Sequence, residues 1–291
     1  MDPIAATLSA TLNTTAKVAP GLAGKGAFAL FRRPIGRAKV RGADQPVSEL
    51  AVRGRLLVAG KTVTTYRWGE GPRPVLLVHG WASRALRFGA LVAELRERGH
   101  TVIAFDAPGH GESEGTSTTI LEFRDIIREL QDQYGAFGAM VGYSFGSLSS
   151  FFAVREGVKT EALVGIAGVS RFDHLITGFL RELGVTGKLE GEMRRRVERE
   201  LFPGEPDIWN RFAVPHAPEQ IAVERILLAH DETDPRAQLL QAHETAEAYG
   251  SRVELFLTKG YGHHRIITAP KVVARVSDFL DEVRDASASA A

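Results

Sequence analysis

Cysteine is absent from the 291 residues, which excludes disulfides, thiolate metal clusters and a cysteine nucleophile together. An excess of one charge is also missing. Thirty-six Lys and Arg stand against 35 Asp and Glu, a net charge of +1, so there is no electrostatic basis for general nucleic-acid binding. No stretch of about 18 uncharged apolar residues occurs, and no membrane-spanning helix is predicted. Asp2 comes early, Lys17 is the first cation, and Pro20, Gly21, Gly24 and Lys25 interrupt the residues after it, so no cleaved export signal is predicted and the expected location is cytoplasmic.

Metal and cofactor signatures are lacking too. His174, His216 and His243 show no paired helical spacing, which leaves no metal site expected. The glycines at 69, 71, 109 and 111 open no Gly-x-Gly-x-x-Gly helix and no phosphate loop is found, so no cofactor is expected. The chain does have a composition with 44% hydrophobic and 24% charged residues, that of a folded protein. At this length roughly 75% of the unfolded surface is buried on folding, and no covalent staple is required.

Apolar patterning divides the chain. Residues 1–48 form an arm with an acid-free basic run of Lys25, Arg32, Arg33, Arg37, Lys39 and Arg41; it reads as a solvated arm that docks through Phe28, Leu30 and Phe31, with an anionic partner as the other reading. Leu50 to Val58 and Thr62 to Trp68 read as a hairpin. From Val75 onward short runs, apolar on both faces, alternate with amphipathic stretches: Val75 to Val78, Thr101 to Phe105, Phe137 to Val141, Ala162 to Ala167, Arg225 to Ala229 and Val253 to Leu257. That alternation predicts an α/β fold with a mostly parallel sheet covered by helices on both faces. It breaks between residues 170 and 222, where Phe172, Leu175, Ile176, Phe179, Leu180 and Leu183 form the stripe of an amphipathic helix. A helical insertion is expected there, splitting the core into 49–169 and 223–286, with a flexible tail at 287–291.

The run Phe137 to Val141 leads directly into Gly142, Tyr143, Ser144, Phe145 and Gly146, after which a helix continues. A serine on so sharp a strand-to-helix turn needs small residues two positions away on each side, so that strained backbone can pass its neighbours. With this motif the sequence resembles the α/β-hydrolase family, and two further stretches strengthen the resemblance. Val75 to Trp81 looks like the family's third strand and following loop, and Phe105 to Ser113 is similar to the segment after its fourth strand.

The resemblance implies an α/β-hydrolase fold with a small helical lid, and a serine hydrolase with Ser144 as nucleophile. It implies oxyanion donors in the backbone amides of Trp81 and Phe145, with His79, Asp106 and His110 fixing loops. A serine hydroxyl needs a base and an orienting carboxylate. The family's order places the acid at Asp234, before Pro235, with Asp231 and Glu232 as rivals, and the histidine at His263, after Gly262, with His264 as the rival. The implied substrate is a small-molecule carboxylic ester, with no nucleic acid as partner. An acyltransferase, a thioesterase and a non-catalytic binding protein of the same fold are the alternatives. A small apolar insertion suggests a shallow pocket suited to short or medium acyl chains.

Overall fold

A computed structural model describes residues 3–34, 36–185 and 189–289, with the backbone alone over 3–8. Two helices, α1 (Pro3–Val18) and α2 (Pro20–Phe31), come first, and a short α3 (Gln45–Glu49) leads into the sheet. The strands β1 (Val52–Val58) and β2 (Lys61–Trp68) turn through Ala59 and Gly60, both at positive φ. Next come β3 (Val75–Val78), α4 (Gly89–Glu97), β4 (Val102–Asp106), α5 (Ile120–Tyr134), β5 (Ala139–Tyr143), α6 (Phe145–Arg155) and β6 (Ala162–Ile166). Helices α7 (Phe172–Glu182), α8 (Glu190–Arg196) and α9 (Ile208–Arg211) intervene before β7 (Arg225–Asp231), α10 (Leu239–Tyr249), β8 (Val253–Thr258), α11 (Gly262–Arg265) and α12 (Pro270–Ser289).

The eight strands form one sheet in the order β1-β2-β4-β3-β5-β6-β7-β8. β2 runs antiparallel to both neighbours and the remaining pairs are parallel. Helices cover both faces, so the central strands bury every side chain, and alternate residues go to opposite cores. Along β3, Leu76 and Val78 join the cluster under α5 and α6, while Val75 and Leu77 join the one under α4 and α12. Among the described residues no helix is long and apolar enough to cross a bilayer.

Helix α5 starts where it does because Thr119 and Glu122 form a reciprocal capping box, satisfying two orphan N–H groups. β5 begins two residues later than its apolar run. Its pairing opens as a lone bridge between Phe137 and Thr160 and becomes regular only past Gly138, whose close contact with the Arg73 carbonyl leaves no room for a side chain.

The tail expected from residue 287 is helical as far as Ser289. Its serines and alanines contain no helix breaker, alanine has the highest helix propensity, and the Ser287 hydroxyl reaches Glu161 and the Val283 carbonyl. The N-terminal segment is two packed helices. Leu12, Ala16, Ala23, Ala27 and Phe28 are buried in the same cluster as Phe172, Ile176 and Met193 of the insertion. Asn13 Nδ2 donates to the Gly184 carbonyl at 2.9 Å, and the Phe31 ring meets Phe179 edge-on at 5.4 Å. Farther on, the Arg37 guanidinium donates to the carbonyls of His110, Gly111, Ser113 and Gly115.

Candidate active site

The parallel strands β3, β5 and β7 deliver their C-terminal ends to one edge of the sheet, where short loops present polar groups. β5 ends at Tyr143 and α6 begins at Phe145, so Ser144 alone makes the turn. Its backbone stands at φ 53° and ψ −116°, a region that costs a non-glycine residue about 1 to 3 kcal/mol. Close packing holds it there. A Cβ on Gly146 would lie 2.0 Å from the Val78 carbonyl oxygen, and one on Gly142 would lie 2.4 Å from the Ser147 Cα. These two positions admit only glycine.

The loop after β3 presses on the same turn. A Cβ on Gly80 would sit 2.9 Å from the Tyr143 carbonyl oxygen and 3.0 Å from the Ser144 Cβ, so the backbone leading to Trp81 runs directly beside Ser144. Histidines hold that loop from behind. His79 donates through Nδ1 to the Gly80 carbonyl at 2.7 Å and accepts the Ala107 amide at Nε2, at 2.9 Å. His110 likewise accepts the Ala82 amide at 3.0 Å and donates to the Pro108 carbonyl at 3.1 Å. Both rings are buried. Burial is the first cause that draws His79 down to about 4 and His110 down to about 3, so each stays neutral with one donor and one acceptor nitrogen. Asp106, also buried, accepts from the Tyr66 hydroxyl and from the Ala85 and Glu112 amides. All three residues serve the loops.

Ser144 meets His263 from 119 residues away in sequence, and His263 meets Asp234 from 29. His263 Nε2 lies 3.0 Å from Ser144 Oγ, and its Nδ1 lies 2.7 Å from Asp234 Oδ2. With the Nδ1 proton donated to the carboxylate, Nε2 is left as acceptor for the serine hydroxyl. The other Asp234 oxygen takes the Arg236 and Ala237 amides at 2.8 and 3.0 Å, which fixes the carboxylate's rotation. His264 points elsewhere. It is exposed, and its ring comes only within 3.5 Å of the Tyr143 hydroxyl, which donates to the His263 carbonyl at 2.9 Å.

The two acid rivals have other partners. Asp231 receives the Thr233, Gly260 and Tyr261 amides and the Thr258 hydroxyl, and so joins the Asp234 loop to the His263 loop. Burial raises its pKa, but the donors from Thr233, Tyr261, Gly262 and Thr258 prevail and hold it well below the usual carboxylate range. Glu232 is exposed and lies 3.5 Å from Lys259.

Above Ser144 opens a cavity of about 580 Å³, with Trp81 and Phe145 in its wall. It is roomier than the expected shallow pocket, because the insertion is only part of its boundary. Phe172, Leu175 and Phe179 of α7 line one side, and Leu30, Phe31, Ala38 and Lys39 of the N-terminal segment line another. Trp209 sits behind, with the Arg194 guanidinium 4.9 Å over its ring. Leu30 and Phe31, expected only to dock the arm, wall the cavity, and Arg87 joins them there with no motif in the sequence to mark it.

The profile of the Alpha/beta hydrolase family matches residues 75–276. Among curated proteins, the chain is 30% identical over 104 residues to the pimeloyl-[acyl-carrier protein] methyl ester esterase of Xylella fastidiosa, a match covering 36% of this chain and 39% of that protein. The match thus spans well under half the length of these relatives. Among solved structures, the chain is similar to an esterase from Pyrococcus furiosus, with a TM-score of 0.65 and 21% identity, covering 86% of this chain and 98% of the other. It is also similar to mouse Alpha/beta hydrolase domain-containing protein 10, with a TM-score of 0.62 and 20% identity, covering 81% and 99%. At these identities the likeness is one of fold.

Proposed function

The chain belongs to the alpha/beta hydrolase family, and from that premise we propose that it cleaves carboxylic esters with Ser144 as nucleophile, His263 as general base and Asp234 as the orienting carboxylate. The observation that carries this reading is the unbroken path from Asp234 Oδ2 to His263 at 2.7 Å and on to Ser144 Oγ at 3.0 Å, at the floor of a mainly apolar cavity. The curated relatives are named as methyl ester esterases, which supports an ester as the bond cleaved.

Ser144 Oγ attacks the ester carbonyl while its proton passes to His263 Nε2. The resulting oxyanion is met by the amides of Trp81 and Phe145, neither of which is engaged by another group among the described residues. Protonated His263 then gives its proton to the departing alkoxide, and an acyl-serine remains. Water, deprotonated by the same ring, attacks that intermediate and releases the acid. Helix α7 and the end of α2 form a lid that keeps the acyl chain out of water.

The test uses wild type and Ser144→Ala. A fluorophosphonate is expected to label the wild type alone, and hydrolysis of p-nitrophenyl butyrate should fall by about a thousandfold or more in a variant whose circular dichroism is unchanged. A folded wild type that takes no label and releases no nitrophenol sinks the reading.

A further inference from the structure

The charge around the cavity departs from that of the chain. The whole sequence is balanced to within one charge, yet seven cationic side chains and only two carboxylates line the cavity. Three of the cations are already matched. Arg41 grips Asp44 through two bonds at 2.5 and 2.8 Å, Arg84 reaches Glu112 at 3.0 Å and Asp106 at 3.5 Å, and Arg236 meets Glu182 at 2.8 Å. Both lining carboxylates are thereby spent. Arg32, Arg33, Lys39 and Arg87 keep no carboxylate within ion-pair distance among the described residues.

These four do not weigh equally. Arg32 and Arg33 come directly after the C-terminus of α2, where the helix dipole favours cations in any case. Lys39 and Arg87 have no such reason to be there. Arg87 is half-buried, and among the described residues the one group its side chain donates to is the His264 carbonyl, at 3.0 Å, which puts its guanidinium beside the loop that carries His263. Burial first, and then the neighbouring Arg41 guanidinium, work against its charge. A guanidinium has five N–H donors in a fixed fork, and a partly desolvated one with a single acceptor is short of partners.

We infer that the substrate of this site is an ester carrying a second, ionised acid group, seated against Arg87 and Lys39 while its apolar chain lies along Phe31, Phe172 and Phe179. The inference rests on the hydrolase reading above and names its substrate class. A carboxylate at Arg87 completes the fork with charge-assisted bonds. An unbalanced cationic mouth with apolar walls also concentrates anions at the opening. The aromatic wall sets the other requirement, because a small, wholly polar anion would leave the half-buried rings of Phe31 and Phe179 facing water.

The experiment compares three esters of one chain length: p-nitrophenyl hexanoate, which is neutral, mono-p-nitrophenyl adipate, with the acid on the acyl side, and 4-carboxyphenyl hexanoate, with the acid on the leaving side. At low ionic strength kcat/KM is expected to favour one of the anionic esters over the neutral one by about tenfold or more, and which one is favoured assigns the side. That ratio should fall several-fold in Arg87→Gln and in the exposed-site variant Lys39→Gln, and again in 0.5 M salt. In parallel, Ser144→Ala is melted with monomethyl adipate or with methyl hexanoate, a readout that requires no turnover. A larger rise in Tm with the adipate supports the anion site even if no ester is hydrolysed, in which case only the hydrolase reading fails. Hydrolysis of the neutral ester with no preference for either anionic one, and equal Tm shifts, overturns the inference and leaves the hydrolase reading intact.

Discussion

The floor and the roof of the cavity are built in opposite ways. At the floor, backbone approaches backbone so closely that glycine is forced at 142 and 146, and the polar groups of His79, Asp106, His110, Asp231 and Asp234 are each tied to backbone amides. At the roof, packing is by aromatic side chains. Phe172 meets Phe31, Phe145, Phe202 and Phe212 at ring distances between 5.4 and 6.5 Å, and the surrounding contacts are half-exposed ion pairs such as Arg194 with Asp173 and Glu190. Hydrogen bonds to backbone fix direction within a few tenths of an ångström, whereas aromatic contacts tolerate repacking. Geometry for reaction is concentrated in the floor. On the proposed reading, the choice of substrate falls to the more adaptable roof.

The sharpest way to break this contrast lies in the floor. His263→Ala is expected to lower kcat about a thousandfold, equivalent to roughly 4 kcal/mol of barrier, while His264→Ala stays within about tenfold; ester hydrolysis by the two purified variants checks it, and the reverse ranking moves the base by one residue. Gly146→Ala should come next, losing about 3 kcal/mol of stability because its methyl meets the Val78 carbonyl. A urea midpoint within error of wild type would contradict the tight approach.

Acid should also act through the floor. The folded values of about 4 for His79 and about 3 for His110 lie below the ordinary 6.5, so the unfolded chain binds protons that the folded chain refuses, and their stabilisation is complete above pH 6.5 and lost as pH falls. Together they are expected to cost about 2 kcal/mol between pH 6.5 and 5.5. Asp231, depressed below its ordinary value, adds a further loss below about pH 4. Urea titrations at several pH values check this, and His110→Asn should flatten the upper part of the profile. The smallest effect is expected at the roof: Phe31→Ala, partly buried, should cost about 1 kcal/mol and shift chain-length preference several-fold without abolishing turnover. An all-or-none loss of turnover there would mean that the roof, too, holds reaction geometry.

The same contrast decided how much was legible in the sequence. The floor is encoded in contiguous stretches: β3 runs over the residues its apolar run predicts, and Ser144 stands between strand and helix as the Gly142 to Gly146 motif requires. The resemblance then singled out Asp234 and His263, which the structure brings together. The roof is encoded by pairs far apart, Phe31 with Phe179 and Asn13 with Gly184, and no periodicity within either segment announces its partner. The basic run from Lys25 to Arg41 therefore read as a solvated arm, although Arg32, Arg33, Lys39 and Arg41 line the cavity. Charge alone does not say which side of a wall it occupies.

The shared roof also has a consequence for the order of assembly. Leu12, Ala16, Ala23, Ala27 and Phe28 leave the ribosome early, but their buried setting includes Ile176, Met193 and Phe202, which are made far later. At about 5 to 20 residues per second the interval between Phe31 and Phe202 lasts roughly 10 to 30 s. Throughout it the first two helices have each other to pack against but not the later members of that cluster. Completion of this cluster therefore waits for a late segment to return to an early one, after the sheet's sixth strand has been made.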